Sequence, residues 1–239
     1  MKQKIDYSSY IKIISKKQIP NFSGICYECS FYTENYSDLI ATKLLEVDIY
    51  DVMPHAVKNR KAEFFAGRYL ARKALEDCDK KLFNIRIGND GSPLWPEKFV
   101  GSISHCKEIA ICTIAYKKNI KSIGVDVENY IENDNIDLIL NDVLTKSEYR
   151  FHQSSASLNS IIFTLIFSAK ESLFKALSRE ISFLFDFRYC QLVNINFSNY
   201  TFTIEIIKKL SPTLLPGVCF DGFFELCRNH VFTIIFEYY

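Results

Sequence analysis

The chain has 239 residues, with 29 Lys plus Arg against 28 Asp plus Glu, 48% hydrophobic residues and 24% charged. This balance excludes a disordered, collagenous or coiled-coil protein, and the length suits one large domain or two small ones, each with a sizeable core. A net charge of +1 excludes whole-surface attraction to nucleic acid or to an acidic membrane, so any phosphate chemistry must sit in local clusters.

Within residues 1–14 the apolar positions are interrupted by Lys2, Lys4, Asp6 and Lys12, which breaks the continuous apolar run of an export signal and predicts a cytoplasmic protein. The long uncharged stretch 151–169 contains His152, Gln153, Asn159 and Thr164. Only 161–167 is strongly apolar, too short for a transmembrane segment. Eight cysteines in an unexported chain read as reduced core residues. Cys26 and Cys29 form a lone CxxC with no second pair at zinc spacing, so a metal or redox role has little to stand on.

In chain order, a helix is predicted over 56–76, with Gly67 its weak point. Lys61, Arg68 and Arg72 fall near one line on it and Arg60 lies about a quarter turn away; this basic stripe is either a solvated face or an anion site. Residues 89–96, with Asp90-Gly91 and two prolines, read as a turn or loop. Strands follow over 99–105, ending in Ser104 and His105, over 109–116, and over 122–128. In the last of these, alternation places Gly124, Asp126 and Glu128 on one face and Ile123, Val125 and Val127 on the other.

After a polar segment over 129–141, a helix beginning near Asn159 is apolar almost all round and therefore buried. Its exception is a stripe of Thr164, Ser168, Glu171 and Lys175. A buried Glu needs a partner, so Glu171 either pairs with Lys175 or binds a metal. Strands over 192–197, 202–206, 222–228 and 231–236 complete the chain. The mixture lacks a βαβ rhythm and indicates an α+β fold, with a boundary near 116–122. Asp126, Glu128 and Glu171 are three hard oxygen donors; if they converge, Mg²⁺ is the cation they suit.

Gly91-Ser92-Pro93, Trp95-Pro96, residues 101–105 (GSISH), 123–128 (IGVDVE) and 167–175 (FSAKESLFK) together resemble the Sfp-type 4′-phosphopantetheinyl transferases, most closely the branch serving enterobactin synthesis. The likeness runs from about Arg60 to Lys175; many Sfp-type enzymes carry Trp at the position of Phe167. It implies two similar α+β halves related by a pseudo-twofold, here 1–119 and 120–239, with coenzyme A and Mg²⁺ between them. It implies transfer of the phosphopantetheine arm of coenzyme A to a serine of an apo peptidyl or acyl carrier protein, releasing 3′,5′-ADP, for nonribosomal peptide or siderophore synthesis. The expected enzyme is a monomer, free or associated with a synthetase complex.

On that resemblance Asp126, Glu128 and Glu171 hold Mg²⁺, and Lys175 steadies the departing phosphate. His105, with Ser104 beside it, contacts coenzyme phosphate. Gly91, Ser92 and Pro93 let backbone approach the adenine. Arg60 takes the 3′-phosphate, with Arg68 and Arg72 as weaker candidates. The base that activates the serine is Glu171 directly or a metal-bound water, with Glu171 the first candidate and Glu148 the second among the side chains. A metal-dependent phosphohydrolase is the alternative, using the same carboxylates with water in place of serine.

Overall fold

The computed structural model describes residues 8–46, 53–81, 85–88, 91–154, 159–181 and 186–239. These form two compact units, Met1–Lys121 with Tyr239, and Ser122–Tyr238. Each sets antiparallel strands against helices, which gives the expected α+β class.

In the first unit the strands β1 (Ile11–Lys17), β2 (Ile25–Phe31), β5 (Phe99–Cys106) and β6 (Ile109–Tyr116) form one sheet in the order β1-β2-β6-β5. A long helix, α2 (Lys58–Asp79), buries Ala62, Phe65, Ala66, Leu70, Ala71, Ala74 and Leu75 in the core formed with Phe31, Phe99, Cys112 and Ile114. These positions recur at three- and four-residue spacing, which gives the helix one continuous apolar face. Gly67 lies where a Cβ would come within 2.6 Å of Ile103 Cγ2, so α2 rests closely on β5. Because side chains alternate along a strand, His105 shares the α2-covered face with Ile103, and Ser104 points to the opposite face.

Two strands and a helix absent from the sequence expectation precede α2. A bulge between Ile11 and Ile14 breaks the alternation of β1. The short helix α1 (Asp38–Leu45) is capped by Ser37, whose hydroxyl accepts from the Ile40 N–H. The basic stripe of α2 serves this helix. Lys61 pairs with Asp38 at 3.1 Å, while Arg72 donates to the Leu44 carbonyl at the end of α1 and pairs with Glu46 and Glu76. Lys61 and Arg72 thus latch α2 to α1.

The expected loop is a small hairpin of β3 (Arg86–Ile87) and β4 (Pro93–Leu94), in which Ile87 faces Pro93. Asn89 and Asp90 lie outside the described residues. Gly91 has φ +82°, a left-handed conformation in which a side chain would be strained. Cys26 and Cys29 are free and lie three residues apart on β2, hence on opposite faces; Cys26 accepts from the Thr113 hydroxyl and Cys29 lies in the core. That geometry gives the CxxC neither a disulfide nor a shared metal.

The second unit is built on β7 (Ile120–Asn129), β8 (Cys190–Asn196), β9 (Thr201–Ile206), β10 (Cys219–Leu226) and β11 (His230–Tyr238), in the order β7-β11-β10-β9-β8. The helix α5 (Asn159–Leu177) covers it, with twelve buried residues that include Lys170. The segment expected to be merely polar contains a helix, α3 (Asn133–Val143), which buries Ile136 and Val143 two turns apart. Next comes α4 (Lys146–Ser154), whose start is a capping box. The Glu148 carboxylate accepts from the Thr145 N–H at 2.7 Å, and Thr145 Oγ1 accepts from the Glu148 N–H. Among the described residues no helix is long and apolar enough to cross a membrane.

Candidate active site

The acidic strand and the polar stripe of the buried helix meet because of one missing methyl group. A Cβ on Gly124 would lie 1.8 Å from the Ser172 carbonyl oxygen and 2.5 Å from the Ala176 nitrogen. These two atoms are the acceptor and donor of successive turns of α5, so β7 lies directly against the helix backbone. The approach fixes which face of β7 meets the helix: that of Gly124, Asp126 and Glu128. The helix is tied from the next strand as well, by Thr233 of β11, whose hydroxyl lies 2.8 Å from that of Ser168 and 2.7 Å from that of Ser172. Thr164, the first member of the stripe, accepts from the Ile131 N–H.

At that contact Lys175 donates to Asp126 Oδ1 at 2.6 Å; the carboxylate is buried and the lysine about a quarter exposed. The sequence offered Lys175 as an ion-pair partner of Glu171; its hydrogen bond goes instead to the strand carboxylate. Burial pushes the Glu171 carboxyl above its ordinary range; Lys175 pulls it back, and the charge of Asp126 pushes it further up. Asp126, Glu171 and Lys175 therefore act on one another as a group.

A preformed three-carboxylate cluster is a different matter. Among the described residues no three His, Cys, Asp or Glu side chains are grouped to hold a metal ion, and Glu128 is not drawn into one with Asp126 and Glu171. The ammonium of Lys175 bridges to Asp126 where the sequence expectation placed a shared cation. The donor chemistry nonetheless fits Mg²⁺, which is commonly held through one or two carboxylates while water and substrate phosphate supply the rest.

Glu148, the second candidate base, is committed elsewhere. It is 2% exposed and pairs at 2.7 Å with Lys170, which is fully buried. Its other contacts are the N–H groups of Thr145 and Leu192, while Lys170 also donates to the carbonyls of Val143 and Phe187. Both charges are hydrogen-bonded on all sides and knit α3, α4, α5 and β8 together. A carboxylate held this way has both oxygens committed to partners within the protein. The Thr-x-x-Glu spacing of a capping box was the signal that could have revealed this.

In the first unit Arg60 and His105 do come together, with Arg60 Nη1 2.7 Å from His105 Nε2. A residue missed by sequence reasoning completes the group: Glu63, one turn along α2 from Arg60, places Oε2 3.5 Å from His105 Nδ1 and 3.7 Å from Arg60 Nη1. Ser104 is buried on the other face of the strand and does not flank the imidazole. Arg68, only 5% exposed, donates to the carbonyls of Ile85 and Arg86 and lies over the Phe64 ring. Burial lowers its guanidinium to about 10. It anchors the start of the hairpin and is not brought to the Arg60–His105 pair. Ser92 closes the hairpin through its carbonyl, which accepts from Gly88, and Pro93 continues into β4.

Comparison with known proteins bears on both units. The 4'-phosphopantetheinyl transferase N-terminal domain matches residues 50–115, and the 4'-phosphopantetheinyl transferase superfamily matches residues 122–231. The chain belongs to this transferase superfamily. Its curated relatives include enterobactin synthase component D of Salmonella typhi, 33% identical over 139 residues (58% of this chain and 57% of the relative), and that of Shigella flexneri, 35% identical over 133 residues (56% and 62%). The 4'-phosphopantetheinyl transferase Npt of Nocardia iowensis is 31% identical over 121 residues (51% and 53%). The matched part spans less than two thirds of each relative. Within this superfamily member, Asp126, Glu171 and Lys175 fall in the C-terminal match and Arg60, Glu63 and His105 in the N-terminal one.

Proposed function

We propose that the protein transfers the 4′-phosphopantetheine arm of coenzyme A to a serine of an apo carrier protein, releasing 3′,5′-ADP. The observation that carries this reading is the meeting of Asp126, Glu171 and Lys175 where α5 presses on Gly124. It assembles opposite charges beside a buried carboxylate, the equipment for handling a pyrophosphate. Asp126 and Glu171 would hold Mg²⁺, with Glu128 the further candidate on the same strand face. Bound there, the ion would supply positive charge to the phosphate oxygens.

The chain's own residues do the rest. Lys175, already fixed by Asp126, presents an ammonium to the phosphate that leaves as the anhydride breaks. Glu171 is the best-placed carboxylate to accept the serine proton, now that Glu148 is bound up in the buried pair. Arg60 and His105 supply the cationic and imidazole contacts to coenzyme phosphate. The acceptor is a small acidic carrier domain of a nonribosomal peptide or siderophore synthetase, a reading supported by the enterobactin relatives. With a net charge of +1, the transferase must recognise it through a local patch.

The test is the dependence of 3′,5′-ADP release on acceptor. Release that requires an apo carrier protein supports transfer. Equal turnover of coenzyme A without any carrier would replace it with the phosphohydrolase reading.

A further inference from the structure

The cluster of Arg60, Glu63 and His105 carries a consequence for how phosphate is bound. We propose that Glu63 is a positioning residue: it holds the proton of His105 on Nδ1 and stabilises the imidazolium that forms when a phosphate arrives, so that anion binding takes up a proton. The proposal rests on the coenzyme A reading and deepens it.

The geometry assigns the tautomer. A guanidinium has only N–H donors, so with Arg60 Nη1 2.7 Å away, His105 Nε2 must be the acceptor. In a neutral ring the proton then sits on Nδ1, the nitrogen 3.5 Å from Glu63 Oε2. In this state Nε2 carries a lone pair and cannot donate to a phosphate oxygen. Arg60, with its side chain 53% exposed, can swing to an incoming anion. Nε2 is then released and gains a proton from solvent, and the imidazolium lies between phosphate and Glu63, donating to both. The charged groups beside the ring include Arg60 and Glu63 of α2. Its partner across the β5–β6 ladder is Ala110, and the turn beyond carries Lys107 and Glu108.

A carboxylate that was merely near the site would repel phosphate, and its removal would tighten binding. The proposal requires the opposite sign, because the stabilised imidazolium is part of the binding state. The loss must also grow with pH. Near pH 6 an imidazole of ordinary pKa, about 6.5, is largely protonated unaided, whereas near pH 8 it depends on Glu63.

The experiment is calorimetric titration of the full chain with coenzyme A, for the wild type, Glu63→Gln and His105→Gln. Buffers of different ionisation enthalpy, at pH values from about 6 to 8, report the protons taken up. The wild type should take up more protons than either variant. Glu63→Gln should bind about five- to tenfold more weakly near pH 8 and nearly normally near pH 6, since one pKa unit on the imidazole is a factor of ten. Equal proton uptake in Glu63→Gln, or tighter binding at pH 8, would overturn the proposal. Failure of the wild type to bind coenzyme A would remove the coenzyme reading itself, and this inference with it; that outcome is recognised before any variant is compared.

Discussion

Replacing Gly124 by Ala should separate the two elements that build the candidate site. The added methyl would sit 1.8 Å from the Ser172 oxygen, where ordinary contact begins near 3.4 Å, so α5 must withdraw by roughly 1.6 Å. The obstacle is helix backbone and cannot rotate aside. Because Lys175 reaches Asp126 at 2.6 Å, a shift of that size takes it out of hydrogen-bond range. Overpacking of this kind costs about 1–3 kcal/mol. A loss near ~2 kcal/mol lowers the melting temperature of a chain this long by roughly 4–8 °C. Misplacing catalytic groups by about 1 Å costs on the order of 100-fold in rate, so kcat should fall much further than stability suggests. The comparison variant is Gly67→Ala, whose methyl would meet a side-chain atom, the Cγ2 methyl of Ile103, and no backbone. There the helix gains about 0.5–1 kcal/mol from losing a glycine, which offsets the contact. Differential scanning calorimetry and a carrier-loading assay read both. A Gly124→Ala protein with wild-type melting and wild-type kcat would refute the packing argument.

Further outcomes follow from the same geometry. Asp126→Ala or Glu171→Ala should abolish carrier loading while leaving the far-ultraviolet circular dichroism unchanged; full turnover in either removes that residue from the site. Glu148→Gln strips the counter-charge from a fully buried lysine and should cost about 3–5 kcal/mol in urea unfolding, whereas a catalytic base would instead lose rate at unchanged stability. Burial pushes the Cys29 and Cys190 thiols from 9.0 up to about 12, and burial with the bond to Asp77 raises Tyr27 from 10.0 to about 12. A raised folded value favours the protonated form, so their stabilisation is complete below pH 9 and is lost as pH climbs towards 12. Urea melts across that range should show the decline. Thiol labelling at neutral pH should find exposed Cys219 reactive and Cys29 and Cys190 protected until unfolding.

The sequence was most legible where one residue's environment is set by its own element. Alternation placed Asp126 and Glu128 on one face of β7, and helical spacing gathered Glu171 and Lys175 on α5, because each pattern is written within a few residues. What these faces meet is decided by partners distant in sequence. Lys175 donates to Asp126, 49 residues away, while its charge also acts on its helical neighbour Glu171. Lys61 and Arg72 look like a solvated stripe until α1 is folded beside them. Arg68 offered the same difficulty, since a buried arginine satisfied by carbonyls carries no sequence mark. The helix over Asn133–Val143 carried a legible signal, since Ile136, Ile139, Leu140 and Val143 recur at three- and four-residue spacing, but the Asn and Asp residues between them read as turn formers and it was passed over. Glu63 was passed over for want of a visible partner, although its spacing of three from Arg60 placed both on one face of α2.

The most direct test of transfer by this superfamily member is the intact mass of an apo peptidyl carrier domain after incubation with the protein, coenzyme A and Mg²⁺. The account predicts that the carrier gains one phosphopantetheine arm on a single serine, that a carrier lacking that serine gains nothing, and that Glu171→Ala protein leaves the carrier unmodified. A carrier that stays unmodified while wild-type protein hydrolyses coenzyme A, or one that is loaded equally well by the Glu171→Ala variant, would contradict it.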